Sequence, residues 1–413
     1  MGSHRADREA SHGHGHDHGS GIELTVAPLP RAILLAVLAA VAVAVVAGVV
    51  LFWPDGERAD ELKGSVGFAA EGVTFPHAVV EEVQPVCPRA GPGDQPDTSK
   101  PCGKIRATVT EGEDDGTEVA VDVPPQVSDA GLEKGDELEL IRTPGEEGQP
   151  ATLAYFETER TPSLWLVGGL FVLVVLAVAR LRGLMALVGL GVAGAVLGGF
   201  AVPAWLTGEA AVPVALVASA AIMYVVLYTT HGFSIRTSAA LAGTLAGMAI
   251  TAGIGWWAVG SAHLTGVVDQ GGQVLTTFAG HLSLQDLLVA AVIIAGLGVL
   301  NDVTITQASA VWELRAAAPT LSRTQLFSSA MRIGRDHIAS TIYTIVFAYA
   351  GTALTLLMAV SLYDRSWFDL TGTEEIAEEL VRAFATSIGL VLAVPATTMI
   401  AVMTVPGPRD QTQ

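Results

Sequence analysis

The chain has 413 residues, of which 51% are hydrophobic and 15% are charged, whereas soluble domains carry roughly 25% charged residues. Its formal net charge is −19, from 41 acidic and 22 basic residues. This composition excludes a single soluble globule and a disordered chain, and it leaves no basic face for the phosphates of a nucleic acid. We therefore expect acidic and apolar residues to occupy different parts of the chain.

The acidic excess lies in one segment. Residues 54–161 hold 24 of the 41 acids and 9 of the 22 bases, a net charge of −15. The rest of the chain is apolar and contains eight stretches long enough to cross a bilayer, which takes about 20 residues of helix. We interpret the first stretch as a retained anchor rather than a signal peptide, because its apolar run is too long. The predicted spans are 32–53, 163–180, 183–205, 211–229, 236–259, 286–312, 338–361 and 377–404.

Arginine placement orients these spans. Arginines precede span 1, separate spans 2 and 3, 4 and 5, and 6 and 7, and follow span 8, whereas the alternate loops contain only Arg365. By the positive-inside rule, both termini lie in the cytoplasm and segment 54–161 lies outside. We expect a multi-pass protein of a bacterial plasma membrane.

The predicted fold class is an α-helical multi-pass membrane bundle of about eight transmembrane helices with a small extracytoplasmic β-domain. The predicted domains are a disordered His-rich cytoplasmic tail at 1–30, a transmembrane helix at 31–53, the acidic β-domain at 54–161, a seven-helix membrane domain at 162–405 and a cytoplasmic tail at 406–413.

Segment 54–161 alternates polar and apolar residues in about five short strands, and Asp115-Gly116 predicts a hairpin turn. Five short strands suit a small OB-like barrel. Cys87 and Cys102 are the only cysteines and flank a loop of this outer segment, so we expect a disulfide. The strands are predicted within 73–86, 104–110, 117–123, 136–142 and 151–157.

The N-terminal tail places His12, His14, His16 and His18 at alternate positions. Neutral imidazoles at this density can bind Zn, Ni or Cu, and a disordered polar tail without metal is the alternative.

Span 6 carries the densest set of polar residues within the membrane. Asp302 is 11 residues from Glu313, which is about 16 Å along a helix, close to the middle of a hydrocarbon core of roughly 30 Å. Gly298, Asp302, Thr306, Ser309 and Glu313 share one helix face, which we expect to look inward at a neighbouring helix or a cavity.

Further polar residues extend this set, and Pro395 predicts a broken helix of the kind that frames transporter sites. The alternatives are a hydrogen-bond network that only fixes the bundle and, for Arg335, a cytoplasmic orienting charge. The transport-site candidates are Asn301, Asp302, Thr306, Ser309, Glu313, Arg335, Asp336, Thr386, Ser387 and Pro395.

Catalytic motifs are absent from the sequence. It contains no His-Glu-x-x-His, no Gly-x-Ser-x-Gly and no Walker A loop. Gly296-Leu-Gly298 resembles part of an intramembrane aspartyl protease motif, but Val299 stands where that motif has its aspartate. We therefore expect neither an enzyme nor a cofactor.

Three ordered blocks, at 296–313, 334–351 and 387–398, resemble the YibE/F-like membrane proteins. The resemblance runs from about 60 to 405 and implies transport machinery of undefined activity. We predict a permease or channel-like transporter of an ion or small polar solute, with the lipid bilayer around it. A homo-oligomer or an envelope protein partner stays open. The alternatives are a non-transporting envelope scaffold or receptor whose outer β-domain binds a partner and, third, a membrane enzyme.

Overall fold

The computed structural model describes residues 28–62, 70, 72–86, 102–145, 150–268, 270–362 and 366–408. The chain divides into two compact units. One is Gly56–Leu187, and the other combines the chain up to Asp55 with the chain from Val188 onward. Cys87 and the tail histidines His12, His14, His16 and His18 lie outside the described residues, so the disulfide and the metal-binding tail stay predictions.

The elements follow in chain order. They are α1 (Pro28–Leu51), α2 (Gly56–Leu62), β1 (His77–Val83), β2 (Lys104–Val109), β3 (Glu118–Asp122), α3 (Pro125–Ser128), β4 (Glu137–Thr143), β5 (Thr152–Thr158), α4 (Thr161–Val196), a π-helical turn (Leu197–Ala201), α5 (Val202–Leu206), α6 (Ala211–His231), α7 (Ile235–Ser261), α8 (Gln270–Phe278), α9 (Leu284–Ala317), α10 (Arg323–Thr352), α11 (Leu354–Ser361), α12 (Trp367–Leu370) and α13 (Glu374–Thr404).

The five strands form one antiparallel sheet in the order β3-β2-β1-β4-β5. Because β3 also packs against β5, the sheet is a small, nearly closed barrel. Alternate residues point inward, and Val80, Ile105, Leu138 and Leu140 are fully buried. All five predicted strands are confirmed, and the predicted turn holds Gly116 at a φ of 78°, which suits glycine.

The membrane helices confirm a multi-pass bundle. Six are long and apolar enough to span, or seven if α10 and α11, bent by 64°, are one broken span. The eighth predicted span comes from dividing the 46 residues Thr161–Leu206, which are helical throughout apart from a sharp break. At the break Arg180 has φ 52° and ψ −130°.

The chain turns back at this break. A Cβ added to Gly183 would lie 2.6 Å from the carbonyl oxygen of Val175, although in a straight helix these residues would be about 12 Å apart along the axis. The predicted division between spans 163–180 and 183–205 therefore coincides with a real bend, while the count of eight spans stays a prediction.

Helices α7, α9 and α13 form the core of the bundle. α1 and α6 pack on one side of it, and α10 packs against α9 and α13. Small residues allow the close approach, since a Cβ added to Gly243 would overlap Oγ1 of Thr397 and one added to Gly389 would overlap Oγ1 of Thr251.

The break expected at Pro395 is wrong, because α13 continues through it. Neighbouring helices can hold a membrane helix straight when one backbone hydrogen bond is missing.

Candidate functional site

The link between α9 and α10 is fixed by a buried arginine. Arg315 is 1% exposed, and its Nη1 donates to the carbonyl oxygens of Pro319 at 3.1 Å and Leu321 at 2.7 Å. Both carbonyls belong to the link after Ala317, so these bonds hold the link against the last turn of α9.

A capping box begins α10. The Ser322 hydroxyl accepts from the Gln325 backbone N–H at 3.2 Å, and Gln325 Oε1 accepts from the Ser322 N–H at 3.0 Å. With one helix ended and the next begun within five residues, α9 and α10 form an antiparallel hairpin. Residues at equal distances from the link therefore face each other.

This hairpin brings Asp302 of α9 to His337 of α10. Asp302 Oδ2 lies 3.8 Å from His337 Nε2, and the two side chains are 71% and 32% exposed. Asp302 is about 27 Å from the start of α9 and about 22 Å from its end, at 1.5 Å per residue, so the pair lies near the middle of the helix. His337 Nε2 is buried and has no hydrogen-bond partner among the described residues.

The side of α9 that carries the predicted polar residues points away from the bundle. Gly298, Asp302, Thr306 and Glu313 are exposed and Ser309 is half-buried, so the expected inward orientation is wrong. The physical reason is the opposite face, where Leu300, Val303 and Val311 pack into the core. A small polar face packs less apolar area than this one.

Some polar residues of α9 do point inward. Gln307 is 3% exposed, and its Nε2 donates to Thr398 Oγ1 at 2.7 Å and to the Ala330 carbonyl at 3.1 Å. The hydroxyls of Thr304 and Thr244 are 2.6 Å apart. These contacts form a hydrogen-bond network that fixes the bundle, which was the alternative interpretation of the transport-site candidates. Asn301 is half-buried, and its Oδ1 has no hydrogen-bond partner within the described ranges.

The α10 candidates lie on the exposed side of the hairpin. Arg335 and Asp336 are exposed, next to His337 in the sequence. The adjacent Gly334 packs against Gln307, since an added Cβ would be 3.0 Å from its Oε1. Gln307 is about 15 Å from the end of α9, so Arg335 lies well along the bundle rather than at the end of α9.

The α13 candidates are apart from this pair. Thr386 is 1% exposed and packs against Gly296, whose added Cβ would be 3.7 Å from its Cγ2. Ser387 and Pro395 are half-buried. Gly296 is six residues, about 9 Å, before Asp302 along α9. The structure thus brings Asp302, Thr306 and Asp336 together with His337 and leaves the α13 residues in the core packing.

Residues 167–407 match the profile of the YibE/F-like proteins. The chain belongs to the YibE/F-like family. No curated protein and no solved structure matches the chain. The family match begins at residue 167, so it covers α4 to α13 and not the barrel, whereas the resemblance was expected from about residue 60.

The YibE/F-like bundle holds a second polar cluster that sequence reasoning missed. A cavity of about 450 Å³ lies where α9 and α13 begin and α10 ends, and Glu375, Glu378, Glu379 and Arg382 line it. Glu378 is 4% exposed, and Arg382 Nη2 lies 3.9 Å from its Oε2, while Nη1 lies 3.8 Å from Glu379 Oε1. The signal in the sequence is acids three and four residues before an arginine at the start of an apolar span.

Metal ligation finds no support in the part of the YibE/F-like chain that the structure describes. There, no three His, Cys, Asp or Glu side chains come close enough together to hold a metal ion. The site around Asp302 is therefore described by its carboxylate, imidazole and hydroxyl groups alone.

Proposed function

We propose that this YibE/F-like protein is a membrane permease or channel-like transporter of an ion or small polar solute, with its polar site around Asp302. The single observation that carries the proposal is the Asp302–His337 pair halfway along α9. Ionisable groups at this depth are costly in a bilayer and mark ion or proton pathways in membrane proteins.

The surroundings of the pair support a polar pathway. Thr306 is exposed one turn below Asp302, its hydroxyl donating to the Asp302 carbonyl at 2.7 Å. Asp336 and Ser340 are exposed beside His337 on α10. At 3.8 Å the pair is longer than a hydrogen bond, so a water molecule or an ion can compete for either group.

The test is flux through the full chain in proteoliposomes. Entrapped pyranine reports protons, ion-selective dyes report Na⁺ and K⁺, and osmotic swelling in urea or glycerol reports small solutes. Asp302→Asn keeps the shape and removes the charge, so we expect it to lower any observed flux at least about tenfold, because intramembrane acids mark ion and proton pathways. Glu313→Gln, on the same face nearer the helix end, is the matched control and should keep most of the flux.

Two outcomes contradict the proposal. One is a parent protein without flux in any of these assays. The other is an Asp302→Asn variant whose flux equals that of the parent and of Glu313→Gln.

The second candidate is an envelope scaffold or receptor whose outer domain binds a partner. The barrel suggests it, because its strand order and the helix α3 between β3 and β4 favour an OB-like domain, a class that binds ligands on its sheet and loops. Lys104, Arg106, Lys134, Arg142 and Arg160 each lie in an ion pair with a carboxylate, so the remaining acids dominate the surface. A basic partner would suit it.

Pull-down with the full chain in nanodiscs separates the two candidates. A specific partner that is lost at raised salt, from a protein without flux, would favour the scaffold.

A further inference from the structure

The exposed row of α9 differs from a surface that faces lipid. Its members are Ala295, Gly298, Asp302 and Thr306, with no large apolar residue among them. By contrast, α1 exposes valines such as Val43, which is 70% exposed. Hydrocarbon favours the surface of α1 and disfavours that of α9, because lipid cannot solvate a carboxylate.

Helix α10 extends this surface. His337 contacts Asp302, and Asp336, the residue before it, and Ser340, about one turn after it, are both exposed. We call the combined surface the polar face, and it consists of Gly298, Asp302, Thr306, Asp336, His337 and Ser340. Carboxylates and an imidazole both lie on it, so two copies of the face can offer hydrogen-bond acceptors and a donor to each other.

The two most apolar helical stretches of the same chain are poor covers for the polar face. Leu164–Ala179 of α4 and Ala32–Val50 of α1 contain no charged, hydroxyl or amide side chain. Packing either of them on Asp302 would bury the carboxylate with His337 at 3.8 Å, beyond hydrogen-bond distance, and would add no further polar partner, which is unfavourable. A cover with polar groups at the same depth is needed.

We propose that a second copy of this chain covers the polar face, so that the two α9–α10 hairpins meet around a two-fold axis along the membrane normal. Such an axis keeps both copies in the same orientation and brings residues of equal depth together. Asp302 and His337 have equal depth, so Asp302 of one copy meets His337 of the other.

Local shape supports this close approach. Nothing lies within 4 Å of a Cβ added to Gly298, one turn from Asp302, so the backbone is open to a neighbour there. The interface rests on the polar face itself. If the interface also forms a passage for the solute between the two copies, that role rests on the proposed function.

Cysteine crosslinking of the full chain in nanodiscs tests the interface. Thr306→Cys puts a thiol on the polar face, and Val43→Cys puts one on the opposite, lipid-facing side of the bundle, where α1 packs on α6, α7 and α13. The parent chain gives the baseline for Cys87 and Cys102. On oxidation we expect at least about ten times more covalent dimer from Thr306→Cys than from Val43→Cys, because positions close to a two-fold axis meet their own copies, and the axis proposed here crosses the polar face.

A second variant separates the interface from folding. Gly298→Trp adds bulk where the monomer has open space, so we expect particles of half the mass that still unfold cooperatively on heating. Equal crosslinking at the two cysteine positions, or monomeric particles for the parent chain, would overturn the proposal.

Flux separates this proposal from the proposed function. A crosslinked dimer without flux in any assay leaves the interface standing and removes the transporter. A monomeric Gly298→Trp variant with the flux of the parent leaves the interface and the transporter standing and removes only the passage between the two copies, since one copy would then be enough. A monomeric parent chain that still shows flux removes the interface and leaves the transporter.

Discussion

Thr306 and Gln307 are neighbours on α9 but lie in different environments. Thr306 is exposed on the polar face and its hydroxyl donates within its own helix, to the Asp302 carbonyl, whereas Gln307 is buried and bonds to both α10 and α13. One position of sequence thus separates a residue of the proposed pathway from a residue that holds three helices together.

We expect Gln307→Leu to lower the free energy of unfolding by about 1–2 kcal/mol, since membrane interhelical hydrogen bonds average about 0.6 kcal/mol and a buried amide makes two here. Thr306→Val is the matched control and should change the value by less than about 0.5 kcal/mol, as is usual for exposed positions. Unfolding in mixed detergent micelles measures both. Equal losses from the two variants would contradict the assignment of faces.

The sequence was sufficient to group the polar residues of α9 but not to orient them. Helical periodicity places Gly298, Asp302 and Thr306 on one face, and the structure confirms that grouping. Which face packs inward depends on the partners, and here Gly247 of α7 makes room for Leu300 of α9, since an added Cβ would lie 2.8 Å from its Cδ2. His337 could not be matched to Asp302 beforehand, because their contact depends on the length of the α9–α10 link.

At the scale of elements, α7 meets α13 through glycine. We expect Gly243→Val to lower stability by about 1–3 kcal/mol, the usual cost of overpacking, because the added Cβ overlaps Thr397. Gly253 lies on the same helix with nothing within 4 Å of an added Cβ, so Gly253→Val should be nearly neutral. Thermal unfolding of purified protein compares them. A similar drop for both would point to helix propensity instead of packing.

The start of α4 carries a pH dependence. Hydrogen bonds from the Thr161 hydroxyl and backbone N–H, the latter at 2.7 Å, lower the pKa of Glu159. A lowered pKa stabilises the fold above the ordinary pKa of a glutamate, and this stabilisation is lost as the pH falls through the lowered value.

We therefore expect Glu159→Gln to weaken the acid sensitivity of unfolding between neutral pH and about pH 3, the range in which carboxylates titrate. Unfolding temperatures at a series of pH values measure it. Glu118→Gln, at an exposed carboxylate of β3, should follow the parent curve. If Glu159→Gln also follows that curve, the hydrogen bonds do not stabilise the start of α4.

Strands and helices were easier to predict than the turns and contacts between them. The barrel strands follow from alternation and turn residues, because one face of each strand is buried, as Ile105 and Ala107 of β2 show. The turn at Arg180 is different. Arg180 and Arg182 predict a connection between two spans. Helical periodicity gives no signal there that the chain reverses direction without a loop. The cavity at Glu378 was missed because its lining comes from separate helices.

At the scale of the whole molecule, topology is the testable quantity. We expect a thiol at Glu118→Cys to react with an impermeant maleimide added to intact cells, and thiols at Ser322→Cys and Arg182→Cys to react only after permeabilisation, because arginine-rich loops stay in the cytoplasm. The parent chain gives the background from Cys87 and Cys102. Labelling of Arg182→Cys from outside would contradict eight spans.

The hairpin of α9 and α10 has a consequence for the order of assembly. Asp302 and His337 are separated by 35 residues. The hydrogen bonds of Arg315 to the link and the capping box at Ser322 lie between them. Contacts of such short sequence separation form early, before distant pairings. The carboxylate and the imidazole can therefore meet while α13 is still being synthesised. A chain cut before α9 and expressed as two fragments should carry the complete pair on the second fragment.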